Sequence, residues 1–522
     1  MSIKFPAFGE TGVNVTRENK GSRVFHFAKV TKKAFDDYCV YLTDNGCTLK
    51  ESFERDGHFY AAFCTDGFSY FLNFYEGLSA LYIVEEKGTL YFEHECALGE
   101  IKCTPQITQI FLEDFGLSYV IRLSDGRFII FDGGWDFEPD AIKLYNCLKA
   151  GANGERPRIA AWILTHAHRD HFECFVGFMN LYGALVDIDA LYYNFPEGDD
   201  IEHFPSLAKC SQYPDVDNSA GTYIGYLNEK IKEYSLKVYT PHTGQTYQIA
   251  DARCEVLSSM DDTIHATSDM NATSLIIRME LAGQVILWAA DASCSATNLA
   301  KKHGKYLKSD ILQIPHHGFG CGKYEAEIEA YELILPETCF MPVAHYHGII
   351  TFSTYKPGTR HVITMPTTKE VIVGDPQRTI TLPYTPKKET KAELEKMILS
   401  GIDRSGSHTW VFSELNTANP DDLGFTILNM TQNTAAVVLI ELFFTDKTQK
   451  IRNIRVEVEG STLKQIRLDD EELDSEWCYH NPQSLKKKGI VPNSPFAARF
   501  MSNVPVVITT KNRKADYYSQ NR

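Results

Sequence analysis

The 522-residue chain has no surplus of basic charge: 52 Lys and Arg stand against 68 Asp and Glu, a formal net charge of −16. That excludes a general grip on nucleic acid, because phosphate backbones are held by clustered cations. It leaves room for a phosphorylated substrate whose charge is met by bound metal. The 13 cysteines are odd in number and include no Cys-x-x-Cys. Several of them, such as Cys39, Cys64 and Cys174, stand in apolar runs that suit reduced thiols. The expectation is a cytoplasmic protein without a disulfide framework. Met1 to Arg17 has no basic segment followed by an apolar core, so no secretory leader is expected. No apolar run approaches the ~20 residues of a membrane helix. Hydrophobic residues at 43% and charged residues at 23% describe an ordinary globular chain, and at about 150 residues per domain its length predicts three domains.

The first block, residues 1–105, reads as a small α+β unit. An amphipathic helix is predicted over Val30–Gly46, with Thr31 as N-cap and Phe35, Tyr38, Cys39 and Leu42 on the apolar face. Strands are predicted over Phe59–Cys64, Phe68–Tyr75, Leu78–Val84 and Thr89–Phe92, punctuated by Asp-Gly, Glu-Gly and Lys-Gly turns. No chemistry is visible in this block. The second, 106–386, alternates apolar strands (Arg127–Phe131, Ile159–Leu164, Ser274–Met279, Val285–Ala289) with helical stretches (Asp140–Ala150, Thr222–Tyr234), a layered α/β pattern. A charged helix and a Gly/Ser-rich stretch over 387–407 read as a linker. The last block, 408–522, is strand-rich and predicts a β-sandwich.

The chemistry concentrates in the second block. Thr165-His166-Ala167-His168-Arg169-Asp170-His171 follows a buried strand, and α/β folds place their sites at the carboxyl ends of strands. Three imidazoles and a carboxylate within six positions can feed two adjacent metals, and the set suits zinc, with manganese and iron as alternatives. Phe128–Phe131 runs into Asp132-Gly133-Gly134, where a carboxylate can orient a ligand histidine. Val285–Ala290 ends in Asp291, a buried carboxylate that is costly unless paired or metal-bound and that can bridge two ions. Ile311–Pro315 ends in His316-His317-Gly318. Four strand ends thus present ligand-type side chains. Taken singly, each has a plain alternative: Asp-Gly-Gly is a turn, and a histidine pair can be hydrogen-bonded loop.

The combination resembles the metallo-β-lactamase superfamily over residues 106–350. Asn271-Ala272-Thr273-Ser274-Leu275, then Asp291, then Pro315-His316-His317-Gly318, resemble the branch that contains the competence-protein hydrolase domain and phosphorylcholine esterase. The resemblance implies a four-layer αββα sandwich with two metals at one edge of the sheets. It assigns His166 and His168 to the first, and Asp170 and His171 to the second together with His317 or, as the second choice, His316, with Asp291 bridging and Asp132 orienting. Asn271 stands where many relatives have a ligand histidine, which makes it a weak ligand or a water-bridged position. A water activated by both metals would attack an ester, with Asp170 holding or deprotonating it and His316 facing the substrate to protonate the leaving oxygen. His345, Tyr346, His347 and Trp135 are candidate substrate contacts. His203, His242 and His265 lie in predicted loops and are expected to be exposed.

The last block resembles the sensory rhodopsin transducer family. The residues that carry this are His408-Thr409-Trp410-Val411-Phe412, Phe425-Thr426-Ile427-Leu428-Asn429, Ile440–Asp446, Ile466-Arg467-Leu468-Asp469-Asp470 and Ser502–Val507. The resemblance implies a β-sandwich able to form homo-oligomers and to bind small molecules, with His408, Arg467 and Asp469 as polar candidates. The leading expectation is a dinuclear hydrolase acting on a small-molecule ester, most directly a phosphoester. The alternative is a sensory or metabolite-binding protein whose hydrolase block is regulatory or degenerate.

Overall fold

The computed structural model describes residues 13–17, 21–88, 96–113, 116–197, 200, 204, 207, 220–292, 294–320, 323–342, 357–373, 377–387, 409–416, 423–429, 435–445, 452–468, 495–502, 504 and 506–510. The chain divides into two compact units, one within residues 1–344 and 356–392, the other within 345–355 and 393–522.

The first unit opens with a six-stranded antiparallel sheet in the order Val13–Arg17, Ser22–Ala28, Ala80–Lys87, Phe68–Tyr75, His58–Thr65, Thr48–Arg55. Its middle strands are buried on both faces, so they read as continuous apolar runs rather than alternating ones. One face carries Phe59, Phe63, Tyr70, Leu72 and Phe74 beneath Phe35, Tyr38 and Leu42 of the helix Lys32–Asp44. The Thr31 hydroxyl caps that helix, accepting from the Ala34 amide at 3.2 Å. The other face, with Tyr60, Ala62, Phe71 and Val84, shares a core with Phe172, Phe195, Met260 and Met270 of the following layers. The predicted strand Thr89–Phe92 lies outside the described residues.

The layered part is a mixed α/β sandwich of two sheets. The first has the order Val238–Tyr239, Leu191–Tyr192, Arg158–Ile163, Phe128–Asp132, Ser118–Arg122, Gln106–Gln109, Arg378–Thr381, with Asp187–Ile188 paired beside Arg158–Ile163. The second runs Thr246–Ile249, Ala252–Ser258, Ile276–Leu281, Gln284–Trp288, Ile311–Gln313, Thr338–Met341, Glu370–Val373. Ile121, Ile129, Phe131 and Ile163 of one meet Val256, Ile277, Ile286 and Trp288 of the other in a shared core. Helices Glu138–Gly151, Arg169–Tyr182 and Ala220–Glu233 cover the outer face of the first sheet through Leu144, Phe175, Phe178 and Leu227, packed on Ile130 and Trp162. In the second sheet the last four strands are parallel. Their connections hold helices, including Tyr324–Ile334 and Pro357–Thr364. With the inner face filled by the first sheet, these crossovers take the outer face. The αββα layering is thereby complete.

The second unit, described by itself, is a β-sandwich. Its four-stranded sheet has the order Thr409–Asn416, Pro495–Ser502, Ala436–Phe444, Arg452–Val458, and its three-stranded sheet Leu463–Arg467, Gly424–Asn429, Val506–Thr510. Phe412, Phe425, Ile440 and Phe500 lie in one shared core. Arg467 lies in the described part and is exposed, whereas His408 and Asp469 lie outside it. No helix among the described residues is long and apolar enough to cross a membrane. Cys174 is a fully buried thiol, while Cys39 and Cys64 are half-buried thiols.

Two histidine expectations are corrected. His242 is buried, not exposed, because its ring is held from both sides: Nδ1 meets Asp261 Oδ2 at 2.7 Å and Nε2 meets Glu86 Oε2 at 2.5 Å. His265 is half-buried, its ring 4.4 Å from that of His26. His203 lies outside the described residues. Burial alone would lower the His242 imidazolium, but Asp261 and Glu86 outweigh it and push it up to about 9. A folded-state value above the ordinary 6.5 contributes stability fully present below 6.5 and lost as pH rises through 9. Melting temperatures measured from pH ~6 to ~10 are therefore expected to fall over that window, and His242→Gln is expected to flatten the fall.

Candidate metal centre

The site lies where four strands of the two sheets end. After Phe128–Asp132 the chain turns at Asp132 itself, with φ +53°. Ala290, His316 and His317 also have left-handed φ, between +48° and +52°. Such backbone is costly for residues other than glycine and persists where surrounding contacts over-determine it. Here the over-determination is visible. Asp132 Oδ1 accepts from the Thr165 amide at 2.7 Å, and its Oδ2 accepts from the Thr165 hydroxyl and from His171 Nδ1, both at 2.7 Å. Trp162 Nε1 donates to the Asp132 carbonyl at 2.8 Å. Burial pushes the Asp132 carboxyl up, opposed by His171 and Thr165.

These anchors fix which ring nitrogen each histidine presents. The Thr165 hydroxyl hydrogen is committed to Asp132, so its oxygen accepts from His166 Nδ1 at 3.2 Å. His171 Nδ1 donates to Asp132, and His317 Nδ1 donates to the Pro342 carbonyl at 3.2 Å. His166, His171 and His317 thus each turn Nε2 inward. His171 Nε2 lies 3.2 Å from Asp291 Oδ2 and 3.5 Å from Asp170 Oδ2. His317 Nε2 lies 3.0 Å from Asp170 Oδ2 and 3.2 Å from Asp291 Oδ2. His168, at the N-cap of helix Arg169–Tyr182, sets Nδ1 3.0 Å from His166 Nε2.

Two groups of ligand-type atoms result: Asp170, His171, Asp291 and His317 in one, His166, His168 and Asp291 in the other, with the atoms of each group within 4.8 Å of one another. Asp291 belongs to both. Its Oδ1 is buried without a hydrogen-bond partner, an arrangement that is costly unless a cation completes it. Donor type, ring orientation and this orphaned oxygen all fit a pair of divalent ions. Burial opposes charge throughout, yet the local pairing prevails: Asp291 and then Asp170 raise His171 well above its ordinary value, and Asp291 foremost pushes His317 up to about 10. Those imidazoles in turn hold Asp170 and Asp291 below the usual carboxylate range. His166 moves the other way, lowered by burial and by its histidine neighbours.

The remaining candidates fall around this cluster. His316 donates from Nδ1 to the Gly320 carbonyl at 2.6 Å, and its Nε2 lies 3.5 Å from Asn271 Nδ2. Asn271 stands in the turn Met270–Thr273 with Oδ1 buried and unpartnered. Trp135 is buried against Phe137, with the Arg169 guanidinium 5.5 Å above its ring. His345, Tyr346 and His347 lie outside the described residues. Sequence reasoning missed the Thr165 hydroxyl, which links Asp132 to His166. It sits inside the histidine motif, and the only signal was its place between the strand and His166.

The model of the metallo-beta-lactamase superfamily matches residues 112–219. A comparison with curated proteins finds no match. Among solved structures, the chain is similar to the metallo-beta-lactamase fold protein YhfI from Bacillus subtilis, at 12% identity over 53% of this chain and 99% of that one, with a TM-score of 0.32. It is similar to Igni18, described as a metallo hydrolase from Ignicoccus hospitalis, at 13% identity over 54% and 100%, with a TM-score of 0.31. It is also similar to the Anabaena sensory rhodopsin transducer, at 22% identity over 20% and 82%, with a TM-score of 0.16. The residues matched by the metallo-beta-lactamase superfamily model, 112–219, lie within the layered αββα sandwich and include the histidine motif His166–His171.

Proposed function

We propose that the protein is a metal-dependent hydrolase that cleaves an ester of a small molecule, most directly a phosphoester. The observation that carries this reading is Asp291, shared by both ligand groups with one oxygen left buried and unpaired. His166, His168 and Asp291 would hold one divalent ion, and Asp170, His171, His317 and Asp291 the other. Zinc suits this imidazole and carboxylate set, as do manganese and iron. Bound there, the ions supply Lewis acidity and a water deprotonated near neutral pH. The chain's own residues do the rest. Asp132 locks the His171 ring, Asp170 orients the attacking water, and His316 Nε2 passes a proton to the leaving oxygen. The Asn271–Leu275, Asp291 and Pro315–Gly318 pattern supports the phosphoester, because the branch it resembles includes a phosphorylcholine esterase. For the C-terminal sandwich, the ordered strand motifs support an oligomer-forming or small-molecule-binding role.

The test is turnover of bis(p-nitrophenyl) phosphate, p-nitrophenyl phosphate and p-nitrophenyl acetate by zinc- and manganese-loaded protein. His316→Gln is expected to keep its metal and to lose about 10²-fold in kcat on the preferred phosphoester. Metal-loaded protein that turns over none of these esters would overturn the reading in favour of a ligand-sensing role.

A further inference from the structure

We propose that the N-terminal sheet is a positioning element of the metal centre, which holds the Met260–Thr273 segment, and with it Asn271, through a buried ionic network. The inference rests on the hydrolase reading for its catalytic consequence, though not for the network itself.

Arg17, fully buried on the strand Val13–Arg17, meets two loops at once. Its Nε donates to Asp200 Oδ2 at 3.2 Å, one terminal nitrogen reaches Asn194 Oδ1 at 3.1 Å and Asp261 Oδ1 at 3.4 Å, and the other donates to the Phe195 carbonyl at 2.9 Å. Asp261 also accepts from Asn194 Nδ2 at 2.8 Å and faces His242, whose far side meets Glu86 of the strand Ala80–Lys87. Next to it, Asp262 takes Lys302 Nζ at 3.1 Å, and that ammonium sits 5.0 and 4.7 Å from the Tyr75 and Tyr82 rings of the sheet. Arg17, His242 and Lys302 thus face Glu86, Asp200, Asp261 and Asp262, all buried.

Apolar packing of equal volume would hold two layers together at least as well, whereas a buried ionic network selects one geometry. That geometry leads to the metal centre by two routes. Thr263, beside Asp262, donates from Oγ1 to the Ala272 carbonyl at 3.0 Å, next to Asn271, and the Leu275 amide just beyond donates to the Thr165 carbonyl at 2.9 Å. Phe195, held by Arg17, packs edge-on against Phe172 at 5.2 Å, the residue after His171.

The experiment compares full-length wild type with Asp261→Asn and the gentler Arg17→Lys. Metal content, amide hydrogen exchange and bis(p-nitrophenyl) phosphate turnover are measured on each. The expected result is exchange in 260–273 faster by about tenfold or more, with the strand Ala436–Phe444 unchanged and metal content kept. Turnover should fall about tenfold, and adding Asn271→Ala to Asp261→Asn should cost little more, because the two act through one element. Exchange that rises uniformly or not at all, or losses that simply add, would overturn the proposal. If Asp261→Asn fails to fold, Arg17→Lys carries the same readouts. A wild type inactive on the ester refutes the hydrolase reading, while the exchange pattern still decides whether the sheet positions the segment.

Discussion

Asp291→Ala is expected to bind less than one metal per chain, to hydrolyse ester at least ~10³-fold more slowly than wild type, and to remain folded. Asp291 is common to both ligand groups, so its loss removes a donor from each ion and the negative charge between them. In the metal-free chain its Oδ2 also pairs with His171 and His317, so the variant is expected to be less stable than wild type without metal, while Asp170 still faces both imidazoles. A ligand present at about 100 times its Kd stabilises a folded protein by ~2.7 kcal/mol. Wild type should therefore melt higher when zinc is added, and the variant should not. Wild-type turnover by Asp291→Ala, or an equal rise in its melting temperature with zinc, would contradict the shared-ligand role.

Asp132→Asn is expected to weaken metal binding by about 10- to 100-fold although Asp132 touches no metal-facing atom. The carboxylate receives three donors: the Thr165 amide, the Thr165 hydroxyl and His171 Nδ1. An amide in its place offers one acceptor oxygen and brings two hydrogens of its own, so at least one donor meets another donor. The His171 ring loses the anchor that turns Nε2 inward, and the orphaned donor costs about 1–3 kcal/mol of stability. Competition titration with a zinc chelator and urea unfolding read the two effects separately. Unchanged affinity beside lowered stability would reduce Asp132 to a structural residue.

The strand ends were legible because the parallel strands that lead to them are buried on both faces and announce themselves as apolar runs, each closing on a polar residue that has no reason to be buried alone. The helix after Thr31 was legible from its cap and its apolar spacing. Thr48–Arg55 was not, because it is a polar edge strand whose side chains are mostly exposed. The residues of the N-terminal network were not legible either. Arg17 and Asp261 stand 244 positions apart, and no local pattern marks an isolated arginine, glutamate or histidine as partners. The same holds for His242: a loop histidine between Pro241 and Thr243 reads as exposed until the sheet bearing Glu86 is packed over it. The left-handed turns at Asp132, His316 and His317 were hidden for another reason. Sequence flags such backbone through glycine, and here it is imposed on other residues by the contacts of the site.

The most direct measurement is the metal content, by elemental mass spectrometry, of full-length protein purified without chelator, beside His168→Ala and Asp291→Ala. About two divalent ions per chain in wild type, with fewer in His168→Ala and fewest in Asp291→Ala, is the predicted result. A wild type that carries no metal and takes up neither zinc nor manganese would contradict the account.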